Sequence, residues 1–332
     1  MTDSGHPLVT FVLYAYNQEA CISKAIAGAF SQTYSPLEIV LSDDCSSDRT
    51  FELMQSAAAR YEGPHTVVLN RNDRNFSIGD HVNAVARLIS GTFVVMAGGD
   101  DVSVPERTHR LVRRWLDLGR PTLVMYSDFA SIDIDSRSVE LLDETIYRGP
   151  HSLEDMARGQ LRVLGATEAV TRDVFSSFPP FGSSVVHEDR VLPFRALLLG
   201  GDIELVDEKL VRYRVDGGLS RMRIETARDF LHEYIPKVSV RTLPDAIQRL
   251  HDLKHAKPDD VLLRKLCSAT IATHEACLAL TKAKGFQLEA CLCKSWLRGA
   301  RPGTLIGLYL KLRFFWLYDL FFRPQSRRKQ VL

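Results

Sequence analysis

Four short apolar runs, VTFVLY (residues 9–14), LEIVL (37–41), TVVL (66–69) and TFVVMA (92–97), alternate with stretches whose apolar residues recur at helical spacing. No other feature restricts the chain so strongly. Ile22, Ala25, Ile26, Ala29 and Phe30 form one stripe after the first run. Phe51, Met54, Ala58 and Tyr61 form a second, and Val82, Val85, Ala86 and Ile89 a third. A strand that is apolar along its whole length suits the middle of a parallel sheet covered on both faces. The order strand, helix, strand, helix therefore predicts an α/β fold: a mostly parallel sheet with right-handed crossovers, flanked by helices. Further runs at 123–127, 203–206 and 210–213 read as strands. Helices are expected after Asn17, which can cap one, after Pro105, which suits a first helical position, and over 191–199. Between 128 and 148 a weak alternation reads as antiparallel edge structure, and beyond Ile224 the spacing is helical.

Three of the strands end in polar residues: Tyr14 to Asn17, then Asp43 with Asp44, then Asp100 with Asp101 after Gly98 and Gly99. In a parallel sheet these ends share one edge, where open α/β sheets bind ligands. Paired carboxylates there suit a hard divalent cation, which takes oxygen ligands and shares them with substrate phosphates. Acids are equally at home at a helix start. Taken alone, Asp43 with Asp44, Asp100 with Asp101, and Glu188 with Asp189 each read either way. Convergence of several clusters on one edge is harder to explain as capping. No glycine-rich dinucleotide fingerprint or phosphate-binding P-loop occurs, which excludes dehydrogenases and ATPases of the usual kinds.

At 332 residues the chain accommodates one large α/β domain plus an appendage, or two domains. A net charge of +1 supplies no global field for nucleic acid. Six cysteines lack paired metal-ligand spacing and no charged-then-apolar leader precedes the first strand, so a reducing cytoplasm is the expected location. Residues 304–322 are long enough, at about 1.5 Å per residue, to cross a bilayer core. They carry Lys311, Arg313 and Asp319, and each charge near the centre would oppose insertion by roughly 2.5–3.5 kcal/mol. Two readings stand side by side. One is an interfacial helix at the inner face of the plasma membrane, followed by the basic Arg323, Arg327, Arg328 and Lys329. The other is a helix packed on the catalytic domain or on a second copy of the chain.

The series VTFVLYAYNQE, EIVLSDDCSSDRTFE, VVMAGGDDVSVPER, VVHEDRVLPFRALLLGG and LVRYRVDGGLS resembles the family 2, GT-A type glycosyltransferases in motif order and spacing, over roughly residues 7–222. The resemblance implies a GT-A catalytic domain over 1–222, with a nucleotide-sugar-binding half over 7–127 and an acceptor-side half over 128–222; the helical spacing beyond it makes 223–332 a helical C-terminal region, membrane-associating or oligomerising. It implies an inverting transfer from a nucleotide-sugar donor, with a UDP-sugar as the first expectation, to a glycan or lipid-linked acceptor in bacterial surface polysaccharide synthesis. A divalent metal, Mn2+ or Mg2+, is the implied cofactor. Residue by residue, Tyr14, Tyr16 and Asn17 match the loop lining the nucleoside pocket. Asp44 matches the acceptor of the base, with Asp43 supporting it. Asp100 matches the acid at the sugar and ribose, and Asp101 the metal-binding acid. Gly99 stands where the family commonly has a further acid. Asp189 of the Glu188 and Asp189 pair matches the general base, and Asp216 stands where many members have a histidine at the metal or diphosphate. His187 reads as an orienting or packed residue, and Arg74 and Arg190 as solvated or paired. Two rivals remain. A sugar nucleotidyltransferase would want a glycine-rich basic loop where this chain has Ala15, Tyr16, Asn17, Gln18 and Glu19. A nucleotide-sugar-binding scaffold without turnover would keep the donor site alone.

Overall fold

A computed structural model describes residues 6–139, 148, 151–160, 163–215 and 224–322. The first half alternates as its apolar pattern predicts: β1 (Val9–Ala15), α1 (Ile22–Phe30), β2 (Leu37–Asp43), α2 (Thr50–Ala59), β3 (Thr66–Arg71), α3 (Ile78–Ala86) and β4 (Phe93–Gly98). Then come β5 (Val102–Ser103), α4 (Arg107–Asp117), β6 (Leu123–Ile132), α5 (Leu153–Ala157), β7 (Ala169–Thr171), α6 (Asp173–Ser176), α7 (Leu192–Leu198) and β8 (Asp202–Arg214). The rest is helical: α8 (Ala227–Asp229), a π turn over Phe230–Tyr234, α9 (Ile235–Ala256), α10 (Val261–Lys282), α11 (Gln287–Leu297), α12 (Pro302–Arg313) and α13 (Phe315–Phe321).

The strands form one sheet in the order β3-β2-β1-β4-β7-β6-β8-β5. β1 to β4 pair in parallel, as do β6 and β8, whereas β7 runs antiparallel to β4 and β6, and β5 antiparallel to β8. The continuous apolar runs are explained by two cores. Phe11, Leu13, Ile39, Leu41, Phe93 and Val95 face α1, α2 and α4, while the alternate residues Val12, Val40, Val94 and Met96 face α3 and α7. Parallel register places Ala15 opposite Asp43 and Tyr14 opposite Gly98, so the exits of β1, β2 and β4 share one edge. Because β7 is reversed, with Val95 opposite Ala169, the residue just before it, Glu168, reaches that same edge.

Several local expectations are corrected. The runs at 203–206 and 210–213 are one 13-residue strand, β8. Its pairing with β6 shifts between Ser127 and Asp128, so Asp207 and Glu208 lie in a bulge that looks like a turn in sequence. The proposed edge structure after residue 128 begins as a continuation of β6 to Ile132, with an antiparallel bridge from Ile132 to Ser138. Pro105 precedes α4 rather than opening it, and α7 is shorter than 191–199. α1 starts at Ile22 behind Cys21, without a side-chain cap, because Asn17 is engaged elsewhere. The stretch 304–322 is broken at Phe314 into α12 and α13, and no helix among the described residues is long and apolar enough to cross a membrane.

The boundary expected at residue 222 lies outside the described residues. The helices after it pack closely on what precedes them: Leu253, Leu263 and Cys267 share a core with Met156, Phe194 and Leu198. α9 also carries a buried polar face, Asp245, Gln248, Arg249 and Asp252, turned toward α7 and the segment before it.

Candidate active site

The loops leaving β1 and β2 are tied to each other. Asn17 takes a left-handed backbone (φ 50°), donates its N–H to Ser46 Oγ at 2.9 Å and accepts from the Ser47 N–H at 2.8 Å. Asp43, wholly buried, accepts from the Ser46 N–H at 2.9 Å and faces Arg71 Nε at 3.5 Å. Both residues thus build the wall of the site. Tyr16 is left exposed above it.

Asp44 is 5% exposed and carries three donors. Asn72 Nδ2 at 2.7 Å and the Phe76 N–H at 2.9 Å bind Oδ1, and Asn75 Nδ2 at 3.1 Å binds Oδ2. The loop after β3 therefore closes over this carboxylate. The sequence shows that loop only as a polar stretch, and nothing in it pairs Asn72 or Asn75 with Asp44.

At the exit of β4 the chain turns at Gly98 and Gly99. A methyl group on Gly98 would lie 2.8 Å from Asp100 Oδ1 and 3.4 Å from Asp101 Oδ2, so oxygens of both acids converge over this glycine. Asp101 Oδ1 accepts the Arg214 N–H at 2.7 Å. Arg214 is itself buried, with Nε on the Asp100 carbonyl at 2.8 Å and NH1 on the Asp133 carbonyl. Burial raises the Asp100 carboxyl, and burial plus the neighbouring Asp100 charge raises Asp101 well above the usual range. Position 99 has no room for a side chain, because a methyl there would overlap Gln18 Oε1 and lie 2.9 Å from Ile22 Cδ1. The convergent oxygens of Asp100 and Asp101 form a cradle of the kind a divalent ion fills together with substrate phosphates. Among the described residues no group of three or more His, Cys, Asp or Glu side chains forms a metal site, so phosphate and water would complete the shell. Asp216 lies outside the described residues.

Glu188 and Asp189 sit in a single 3-10 turn before α7. Both wrap around Gly165, where a methyl would lie 2.9 Å from Glu188 Oε1 and 3.5 Å from Asp189 Oδ2, and the Gly165 N–H donates to Asp189 Oδ2 at 3.2 Å. Glu168 faces this pair, wholly buried and, among the described residues, with neither carboxyl oxygen hydrogen-bonded. Burial raises its carboxyl well above the usual range, and the Asp189 and Glu188 charges add to the shift. Burial and then Asp189 push Glu188 up to about 8. The Tyr14 hydroxyl on the same side is buried and, among the described residues, without a hydrogen-bond partner, and it is raised by burial, by Glu188 and by Glu168. Tyr14 thereby links the β1 exit to the acids before β7 and α7. Glu168 and Gly165 escaped the sequence reading because they lie in a segment without periodicity; a lone acid abutting the apolar AVT run is the only trace. Arg74 lies over the Phe76 ring and Arg190 lends its carbonyl to Arg249 NH1.

His187 precedes the acidic turn. Its Nδ1 lies 2.7 Å from Asp245 Oδ2, and Asp245 Oδ1 accepts the N–H groups of Val186 and His187, each at 3.3 Å. The helices after residue 224 thus reach the turn that carries Glu188 and Asp189.

Comparison with known proteins adds an independent line. Residues 10–161 match the profile described as Glycosyl transferase family 2. The chain is 34% identical over 138 residues to the succinoglycan biosynthesis protein ExoO of Rhizobium meliloti, covering 42% of this chain and 38% of that protein. It is 27% identical over 106 residues to the putative glycosyltransferase EpsE of Bacillus subtilis, covering 32% of this chain and 37% of that one. The matched stretch therefore spans under two fifths of either relative. In fold the chain is similar to S. aureus TarS 1-349 in complex with UDP-GlcNAc, with a TM-score of 0.55 at 16% identity, covering 94% of this chain and 88% of that one. It is similar too to the mannosyltransferase PcManGT of Pyrobaculum calidifontis in complex with GDP-Man and Mn2+, with a TM-score of 0.51 at 15% identity, covering 95% and 88%. Both likenesses are of fold.

Proposed function

We propose, for a chain whose residues 10–161 are a family 2 glycosyltransferase domain, that it moves a sugar with inversion from a nucleoside diphosphate donor to a hydroxyl of a glycan or lipid-linked acceptor. The observation that carries this reading is the gathering of Asp44, Asp100 with Asp101, and Asp189 at one edge of one sheet, through the register of β1, β2, β4 and the reversed β7. Acids that merely capped helices would have no reason to share that edge.

In this reading Asp44 receives the base, with Tyr16 and the Asn17 loop beside it. Its oxygens are committed to Asn72, Asn75 and Phe76, so base binding exchanges at least one of these bonds, and the Asn75 contact at 3.1 Å is the longest. Asp100 and Asp101 would hold the divalent ion, with Asp216 as a third candidate. When bound, the ion supplies Lewis-acid neutralisation of the leaving diphosphate. Asp189 takes the acceptor proton as the oxygen–carbon bond forms and the bond from carbon to phosphate oxygen breaks, its electron pair leaving on the nucleoside diphosphate. A single displacement inverts the anomeric centre. Burial raises the Glu168 and Glu188 carboxyls, which disfavours their charged forms, and the proton-accepting role is assigned to Asp189.

Support for a nucleotide-sugar donor comes from the similar folds solved with UDP-GlcNAc and with GDP-Man and Mn2+. Support for a surface-polysaccharide acceptor comes from the relative named for succinoglycan biosynthesis. A calorimetric or thermal-shift panel of nucleoside diphosphates with Mn2+ tests the donor half. One of them, UDP first, is expected to raise the melting temperature only with the metal, a ligand at a hundredfold its Kd adding about 2.7 kcal/mol. A flat response to every nucleoside diphosphate overturns the reading.

A lipid-linked acceptor would bring the protein to the cytoplasmic face of the membrane. In support, Ile306, Leu310, Phe314, Leu317 and Phe321 are exposed at near-helical spacing across the break at Phe314, with Trp316 69% exposed beside them. The basic residues from Arg323 to Lys329 follow in sequence. Such a face with adjacent positive charge suits an anionic lipid surface. The full chain is expected to sediment with phosphatidylglycerol vesicles and not with phosphatidylcholine ones, and Trp316→Ser with Phe321→Ser to remain in the supernatant. Concentration-dependent dimerisation abolished by the same pair of substitutions would assign the face to a second copy instead.

A further inference from the structure

We propose that Arg190, Arg249 and Arg301 make an oxyanion site beside the turn that carries Asp189, taking a phosphate or carboxylate group of the acceptor. The acceptor role rests on the sugar-transfer reading, and the site itself on where the charges lie.

The three arginines come from distant parts of the chain and are joined by one series of contacts. Arg190 follows Asp189 in the 3-10 turn, and its carbonyl accepts from Arg249 NH1 of α9 at 3.3 Å. Arg249 NH2 and Thr270 of α10 flank Gly159, where a methyl would lie 3.4 Å from the first and 3.8 Å from Thr270 Cγ2. Gly159 has a left-handed backbone (φ 67°), so this position beside NH2 favours a residue without a side chain. Arg301, just before α12, donates from NH2 to Thr270 Oγ1 at 2.7 Å and to the Arg158 carbonyl. Arg249 is 3% exposed, whereas Arg190 and Arg301 are half-buried and reach solvent.

What the cluster lacks is negative charge. The acids around it are committed elsewhere: Asp155 to Arg158 at 3.3 Å, Asp245 to His187 at 2.7 Å and Asp252 to Arg195 at 2.7 Å. Among the described residues none of the three guanidiniums has an ion pair, and the buried Arg249 Nε has no hydrogen-bond partner. The surroundings register the excess. Burial, then the charges of Arg249, Arg190 and Arg301, push His274 of α10 down to about 4. Burial lowers Arg249 to about 10, Asp245 and Cys267 favour its charge, and Arg190 and Arg301 oppose it. Buried charges persist where they are paired, and guanidinium groups meet phosphate or carboxylate through paired N–H donors. An oxyanion held by these arginines supplies both the missing charge and an acceptor for Nε. Because Arg190 adjoins Asp189, that anion belongs to the molecule whose hydroxyl Asp189 deprotonates, the diphosphate of the donor being assigned to Asp100 and Asp101. The diphosphate of a lipid carrier and an acidic group of a glycan present the same oxygens.

Binding and transfer by the full chain test this. Inorganic pyrophosphate is titrated by calorimetry in EDTA at constant ionic strength, so that no metal carries it to Asp100 and Asp101. It is expected to bind wild type, to bind Arg190→Gln and Arg249→Gln about tenfold more weakly, and to bind Arg190→Lys at an intermediate strength. Arg190→Gln removes no side-chain hydrogen bond seen among the described residues and should melt with wild type, which keeps the test independent of folding. The His274 ring resonances locate the ion and are expected to shift with the same saturation curve. Pyrophosphate that does not bind, that binds the folded variants as tightly as wild type, or that leaves His274 unmoved overturns the site. Affinity for UDP with Mn2+ is expected to stay within twofold in Arg190→Gln, and a tenfold fall there would give the arginines to the donor and overturn the acceptor role. Transfer is then compared for a polyprenyl diphosphate sugar, a uronate-bearing oligosaccharide and a neutral alkyl glycoside. Arg190→Gln is expected to raise KM about tenfold for whichever anionic acceptor wild type uses, which identifies the source of the anion, and to leave KM for the neutral glycoside unchanged. A KM raised equally for the neutral glycoside, or for none, overturns the acceptor role. If pyrophosphate binds as expected while wild type neither transfers nor hydrolyses any nucleotide sugar, the sugar-transfer reading falls and the oxyanion site stands.

Discussion

Asp189→Asn is expected to lower turnover of a nucleotide sugar by a factor on the order of 10² to 10⁴, the contribution of a positioned general base, while leaving nucleoside diphosphate affinity within about twofold. The substitution keeps the shape of the side chain and an oxygen to receive the Gly165 N–H, now at 3.2 Å, but removes the basic lone pairs. It also removes a negative charge from a site where Glu168 and Glu188 are both raised in part by Asp189. The variant should therefore melt no lower than wild type, which separates lost chemistry from lost fold. Single-turnover kinetics with calorimetric binding of UDP make the check. Reduced binding with unchanged turnover would move Asp189 out of the base role and leave the donor site to explain the gathering of acids.

The sequence displays the parallel half of the sheet because each of its strands is buried on two faces, and residues such as Phe11 and Val12 must then both be apolar although they point opposite ways. Asp43, Asp44, Asp100 and Asp101 are visible for the same reason: they stand where an unbroken apolar run stops. The second half of the sheet offers no such punctuation. β7 has three residues and runs antiparallel, so neither its length nor its period sets it apart, and Glu168 at its start goes unnoticed. β8 reads as two strands because its bulge exposes Asp207 and Glu208 in mid-strand. Long-range polar partners are the least visible of all. Asp245 is 58 residues from His187 and sits inside an ordinary helical stripe, and only the packing of α9 reveals which of its polar residues are buried. For that reason the region after residue 224 looks like an appendage in sequence, although its side chains hold the turn that carries Asp189.

That dependence makes Asp252→Ala the substitution with the largest expected effect on stability. Arg195 and Asp252 are 1% and 0% exposed, paired through Nε at 2.7 Å and NH2 at 3.2 Å. Gln248 Nε2 donates to the same carboxylate at 2.8 Å, Arg195 NH2 donates to the Pro179 carbonyl at 2.9 Å, and the guanidinium lies 4.2 Å from the centre of the Phe181 ring. Removing the carboxylate leaves the guanidinium buried among aromatic rings with one carbonyl for company. Breaking a buried pair from one side destabilises by about 3–5 kcal/mol, a large share of the roughly 5–15 kcal/mol that holds a domain folded. A fall in melting temperature on the order of 5–15 °C follows. Replacing both partners, Arg195→Met with Asp252→Leu, should recover most of the loss, because two desolvated charges then disappear together. Chemical denaturation of the two variants and of wild type decides the matter. A single variant within about 1 kcal/mol of wild type would show water reaching the pair, whereas a double variant as weak as the single one would show that shape, not charge, joins α7 to α9. Since α7 begins two residues after Arg190, the single variant should also lose turnover at temperatures well below its melting point, while its affinity for UDP, which the proposed function assigns to Asp44 and the loops of β1 and β2, changes little.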